Sequence, residues 1–301
     1  MSDTKDSGRV STGLPRLDEM LGGGLLPGTL TVVYGATGIG KTHLGVTFAH
    51  AGETQEGRRG ILFDMNGRGD SQQHREYAKR LFGWQMEPWQ YHPTSWDPAL
   101  PEEDRVLAMS YCNEYTDTGK VTDFQEGRDG DRDFSWSWKA AHNQKFRHIL
   151  PFFYFQFGLG CRRVVIDGVE PSGSGVESIQ FHLFHEIYAR AIHQDFDVSA
   201  AEILIPVWKY RDFIQKTAYQ HHRIITMLLA TTEENVLEDL VARRVTEGDP
   251  GALANTIILM GKKIESGKVS RVLHVAKHRG STCSDELAEF RINKTGIEFL
   301  S

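Results

Sequence analysis

The sequence predicts an α/β fold built on a mostly parallel sheet, with helices on both faces and an antiparallel extension at the C-terminal end. Three observations carry this expectation. Apolar runs rich in β-branched residues alternate with helical stretches, a glycine-rich loop follows the first of those runs, and the chain from Lys262 onward breaks into short segments separated by turn residues. The 301 residues are 40% hydrophobic, enough to bury a sizeable core, which excludes a disordered chain and a disulfide-stapled miniprotein. A flexible tail over residues 1–10 and one domain over 11–301 are expected.

Leu30-Thr-Val-Val-Tyr34 reads as a buried strand between Gly28 and Gly35, and Lys41 to Ala51 follows with helical character. Ile61-Leu-Phe63 is a second strand. Ser71 to Phe82 then reads as a helix that Ser71 can cap. Further strands are expected around Val164-Val-Ile166, Ile224 to Ala230 and Thr256 to Met260, and alternation with helices implies parallel crossovers. Lys262–Glu265, Val269–Lys277, Glu289–Ile292 and Ile297–Leu300 are separated by Ser266-Gly267 and Asn293-Lys-Thr-Gly296, which is hairpin chemistry. Two stretches, about 91–145 and about 171–222, do not fit the alternation and read as insertions. The second holds two helical segments, with Pro206 beginning, kinking or breaking the later one.

Gly35-Ala36-Thr37-Gly38-Ile39-Gly40-Lys41-Thr42 matches G-x-x-x-x-G-K-[ST] in the context that motif requires, after a strand and opening a helix. The glycines let backbone N–H groups turn inward around a phosphate, and the helix N-terminus adds partial positive charge. Lys41 is placed to reach the β- and γ-phosphates, and the Thr42 hydroxyl to ligate Mg²⁺. Asp167, after Val164-Val-Ile166, is the acid expected to hold that Mg²⁺ or its water.

Thr12-Gly-Leu-Pro-Arg-Leu-Asp18 followed by Leu21-Gly-Gly-Gly-Leu-Leu-Pro-Gly28 resembles the lead-in of the KaiC/RadA branch of the RecA superfamily, T-G-x-x-x-L-D-x-x-L-G-G-G-x-x-x-G. Val275-Ala-Lys-His-Arg-Gly-Ser281, Glu289-Phe-Arg-Ile292 and Gly296-Ile297 resemble the C-terminal hairpin of KaiC-type proteins. Gly83-Trp84 and Ala254–Met260 fall where such proteins carry similar segments. The resemblance covers roughly 11–90, 160–170 and 223–300. It implies a RecA-like P-loop core that assembles as a homo-oligomeric ring, commonly a hexamer, with ATP between neighbours. Lys277 and Arg279 would then reach the γ-phosphate of the adjacent subunit. Alternation along a strand puts those two side chains on one face and His278 on the other.

The sequence departs from the family where a Glu pair should align the attacking water. Those positions hold Asn66 and Gly67. Asparagine positions a water but cannot take its proton, and losing a positioned base costs about 10²- to 10⁴-fold in rate. Asp64 on the same strand, or Asp70 in the following loop, are the candidate substitutes. Thr231 and Thr232 read equally as a sensor near the γ-phosphate or as a helix N-cap pair.

Phe134-Ser-Trp-Ser-Trp138 would present one aromatic face as a strand, and Phe152–Phe157 is a second aromatic cluster. Both read as packing for the insertion or as a docking surface for a partner protein. His182 and His185 share a helix face, but no cysteine pair completes a zinc site. A net charge of −6, from 34 Lys plus Arg against 40 Asp plus Glu, gives no basic footprint for nucleic acid. Three cysteines without metal-ligand spacing, and no apolar signal core or membrane-length run, point to a soluble cytoplasmic protein. The expected function is an ATP-binding, ring-forming ATPase with slow or conditional hydrolysis, acting as a regulatory switch. A non-hydrolysing scaffold and a RadA-like DNA repair accessory are the alternatives.

Overall fold

The computed structural model describes residues 8–65, 73–89, 112–116, 132–169, 179–204, 207–244 and 249–300. Its strands are β1 (Leu30–Gly35), β2 (Ile61–Asp64), β3 (Glu114–Thr116), β4 (Arg163–Val169), β5 (Ile225–Thr231), β6 (Thr256–Glu265), β7 (Lys268–His278), β8 (Ala288–Asn293) and β9 (Gly296–Phe299). They form a nine-stranded sheet among the described residues, ordered β3-β2-β4-β5-β1-β6-β7-β8-β9. Pairing is parallel from β3 to β6 and antiparallel from β6 to β9. This is the α/β architecture expected, with its antiparallel C-terminal extension.

Successive strand residues feed opposite faces, as a pleated strand requires. Leu30, Val32 and Tyr34 of β1, with Phe63, Val164 and Ile166, enter one core. Val33, Leu62, Val165 and Leu229 enter the other. The second core packs under α1 (Pro15–Met20), α2 (Lys41–Glu56) and α3 (His74–Phe82). The first packs under α4 (Arg132–Gly158), α5 (Ile179–Ile187) and α6 (Phe196–Ile203). The short helices α7 (Arg211–Lys216) and α8 (Leu237–Ala242) are the remaining α-helices among the described residues.

Helix α4 contains Pro151, which cannot donate to the carbonyl four residues back. A helix-interior proline costs about 3 kcal/mol. The rings of Phe152, Phe153 and Phe157 are fully buried, and at about 2 kcal/mol each their burial outweighs that cost. The cluster Phe152–Phe157 is therefore core, and its reading as a partner-docking surface is corrected. Phe134–Trp138 is also not a strand, since it lies in α4. Five alternating residues are a short period-2 signal, and the Gly- and Pro-free run after them continues a helix.

Other boundaries shift for physical reasons. β4 runs past Asp167 to Val169, with a register shift between Ile166 and Val169 and φ of 83° at Gly168. β6 and the Lys262–Glu265 segment are one strand, and both loop residues of the next turn, Ser266 and Gly267, have positive φ (50° and 78°), the geometry of a type I′ hairpin. β3 carries too little strand signal to be foreseen. Ser71 and Pro206 lie outside the described residues. α3 begins at His74, α6 ends at Ile203, and a 3₁₀ turn starts at Val207.

Buried charge fixes the lower end of β4. All five N–H groups of Arg163, whose side chain is fully buried, find acceptors. They donate to Glu56 Oε2 (2.8 Å) and Oε1 (3.1 Å), Gln55 Oε1 (2.6 Å), and the carbonyls of Ser11 and Phe48 (2.8 Å each). The guanidinium also sits 4.9 Å from the Phe48 ring centroid. This one side chain ties β4 to the C-terminal end of α2 and to the lead-in segment. Truncating one partner of a buried ion pair costs about 3–5 kcal/mol. Arg163→Ala should therefore lower the denaturation midpoint markedly, whereas Arg291→Ala, which breaks the exposed pair with Glu298, should leave it unchanged.

Candidate functional site

Parallel pairing brings the C-terminal ends of the central strands to one edge of the sheet. Gly35 is level with Thr231 of β5 and Met260 of β6, and Asp64 of β2 is level with Asp167 of β4. The loop Gly35–Thr42 sits on that edge and leads into α2. Gly38 and Gly40 adopt φ of 76° and 124°, which L side chains rarely adopt. Ile39, 2% exposed, anchors the loop in the core, while Thr37 and Gly38 face outward. The first-turn N–H groups of α2 open at this mouth, unsatisfied within the helix.

The Lys41 ammonium is buried and donates to the carbonyls of Gly35 (2.7 Å) and Ala36 (3.1 Å). Thr42 Oγ1 donates to Asp167 Oδ2 at 3.0 Å. His74 Nε2 lies 3.0 Å from the same oxygen, and the Gly168 N–H donates to Asp167 Oδ1 at 2.7 Å. The other His74 nitrogen, Nδ1, is 3.5 Å from Glu114 Oε1 and 3.9 Å from Asp64 Oδ2. Arg75 Nε closes on Glu114 Oε2 at 2.5 Å.

Burial alone would lower the His74 pKa, but the hydrogen bond to Asp167, the approach of the Glu114 carboxylate and the charges of Asp167 and Asp64 push it up to about 10. Burial alone would raise that of Asp167, but the His74 hydrogen bond and charge, the Gly168 N–H and the Lys41 charge bring it below the usual carboxylate value. At neutral pH the site thus holds an imidazolium against an ionised carboxylate.

The other anticipated residues divide into three groups. Thr231 ends β5 beside Gly35, and the Thr232 N–H donates to the Gly35 carbonyl at 3.2 Å. The helix N-cap is Val236, which removes the capping alternative for Thr231 and Thr232. Lys277 and Arg279 are not brought to the loop of their own chain. Leu273 of β7 is level with Met260, and Lys277 lies four residues further along, roughly 13 Å at strand rise. There Lys277 donates to the Gly251 carbonyl (3.2 Å), with its pKa lowered by burial and by Arg279. His278 is buried on the opposite face, its Nδ1 2.9 Å from Thr256 Oγ1. Asn66, Gly67 and Asp70 lie outside the described residues.

The lead-in is a clamp rather than a ligand contact. Asp18 Oδ1 accepts from the Thr12 backbone N–H (2.6 Å) and hydroxyl (2.7 Å), and Asp18 Oδ2 accepts from Ser11 Oγ.

A hydroxyl and an ionised carboxylate meeting at the mouth of the glycine loop are hard oxygen donors, a set that fits Mg²⁺. Among the described residues no group of three or more His, Cys, Asp or Glu side chains is placed to hold a metal ion. Also among them, no helix is long and apolar enough to cross a membrane. His74 and Glu114 were missed by sequence reasoning. His74 is 93 residues from its partner Asp167 and carries no motif.

Residues 10–93 match a family model described as the KaiC ATPase. The chain is 22% identical over 296 residues to the circadian clock oscillator protein KaiC of Rippkaea orientalis, covering 98% of this chain and 43% of that protein. It is 24% identical over 288 residues to KaiC of Synechococcus elongatus, covering 96% and 41%. It thus spans about two fifths of the length of these relatives. The fold matches a KaiC-like protein from the archaeon Pyrococcus horikoshii OT3 with a TM-score of 0.53 and 17% identity, covering 97% of this chain and 99% of that one. Together with the glycine loop and the sheet order, these matches make the chain similar to KaiC-type ATPases in sequence and to a KaiC-like protein in fold.

Proposed function

We propose that this chain binds ATP with Mg²⁺ at Gly35–Thr42 and hydrolyses it slowly or conditionally, as a nucleotide-dependent switch within a ring of identical subunits. The single observation that carries the reading is the Thr42–Asp167 hydrogen bond at the mouth of the glycine loop. The backbone N–H groups of residues 38–42 face the phosphates, and the Lys41 ammonium exchanges its two loop carbonyls for phosphate oxygens. Thr42 and Asp167 hold Mg²⁺, directly or through its water. The ion supplies charge neutralisation at the β- and γ-phosphates.

Assembly is supported by the placement of Lys277 and Arg279. They lie near the N-terminal end of β6, away from their own loop, so the nucleotide they would serve is that of a neighbouring subunit. Slow turnover follows from Asn66 and Gly67 replacing the acidic pair. Asp64, fully buried and level with Asp167, is the carboxylate nearest to that role by register. The same replacement favours the second reading, a nucleotide-binding scaffold without turnover. Single-turnover hydrolysis at the uncatalysed rate would select it.

Removing charge-assisted hydrogen bonds costs about 1.5–3 kcal/mol, roughly 10- to 150-fold in affinity. Lys41→Ala should weaken ATP binding by that factor in a fluorescent-nucleotide titration. A change below threefold contradicts the site. An arginine finger supplies about 10³- to 10⁵-fold in rate. The double variant Lys277→Ala/Arg279→Ala should therefore bind ATP normally and lose turnover. Mixing it with Lys41→Ala should restore part of the activity, because each variant contributes the half the other lacks. No recovery on mixing contradicts action between subunits.

A further inference from the structure

The Asp167 carboxylate is held at both oxygens from three directions. Oδ1 takes the Gly168 N–H, and Oδ2 takes both the Thr42 hydroxyl and His74 Nε2 at 3.0 Å. His74 is the first residue of α3, and Gln73 before it adopts φ of 53°, so the chain turns into the helix at the residue that meets Asp167. The imidazole is fully buried, as are the side chains of Asp64 and, nearly so, Glu114 and Asp167. A residue present only to pack α3 on the sheet would be apolar. An imidazole among three buried carboxylates is costly to bury, and its side-chain hydrogen bond is spent on Asp167.

We propose that His74 is a positioning residue of the nucleotide site. Through its hydrogen bond to Oδ2 it fixes the Asp167 carboxylate beside the Thr42 hydroxyl, in the orientation that receives the Mg²⁺ of the nucleotide. This inference rests on the reading of Gly35–Thr42 as an ATP–Mg²⁺ site. The geometry is that of an outer-shell group orienting a metal ligand, and loss of such a group typically costs 10- to 100-fold in metal affinity. On the other side of the ring Nδ1 lies 3.5 Å from Glu114 Oε1 and 3.9 Å from Asp64 Oδ2 without a hydrogen bond, so the directed contact of the imidazole is the one to Asp167.

The test compares His74→Gln, whose side-chain amide keeps an N–H donor near the Nε2 position, with His74→Leu, which removes it. A fluorescent ATP analogue is titrated with Mg²⁺ and again with EDTA. The wild type and the Gln variant should show the same Mg²⁺ enhancement within threefold. The Leu variant should lose at least tenfold of it while its affinity in EDTA changes less than threefold. Equal loss in both conditions, an unchanged enhancement in Leu, or a loss in Gln overturns the proposal. If the Leu variant does not fold, wild type carrying ¹⁵N-histidine gives the answer, with the His74 signal assigned from its disappearance in His74→Gln. Nε2 should stay protonated and hydrogen-bonded when Mg²⁺ and the analogue are added, and release of that nitrogen overturns the proposal. A wild type that binds the analogue under neither condition refutes the nucleotide site itself, a result distinct from any of these.

Discussion

Two buried charges on β4 hold helix α2 at both ends, and the site depends on that clamp. At the start of the strand, Arg163 binds Glu56 and Gln55 in the last turn of α2. Near its other end, Asp167 binds Thr42 in the first turn. The glycine loop hangs between β1 and this helix, so its mouth is fixed wherever α2 is fixed. Neither charge is tolerable in the interior without its full set of partners. The clamp and the hydrogen-bond sets therefore stand or fall together.

Parallel pairing explains why chemistry collects at one edge. Every strand from β2 to β6 in the parallel part of the sheet ends on the same side, so residues distant in the chain arrive at neighbouring positions. Asp64, Asp167, Gly35 and Thr231 meet there. The antiparallel extension runs the other way, which carries Lys277 and Arg279 to the far edge. One chain thus presents a phosphate-binding loop at one edge and a basic pair at the other. The proposed sharing of a site between two copies needs such a division.

The sequence made visible those features whose signal is local. The loop Gly35–Thr42 needs eight contiguous residues and a flanking strand, and β1, β2, β5 and the hairpin turns announce themselves through β-branched runs and turn residues. Asp167 was found because it follows such a run. His74 and Glu114 were not legible, because each gains meaning only from partners on other strands, and β3 is three residues long. Phe134–Trp138 misled because alternation over five residues fits a strand while the stretch around it favours a helix. Phe152–Phe157 was legible as an aromatic cluster that either packs or docks, and the choice between the two is settled only by α4 lying across the sheet.

A crystal structure with Mg²⁺ and a non-hydrolysable ATP analogue is the most direct trial of this account. It should show the triphosphate wrapped by the backbone of residues 38–42, the ion against the Thr42 hydroxyl, and Asp167 still bonded to His74. A triphosphate seated elsewhere, or an ion remote from Thr42 and Asp167, would contradict it.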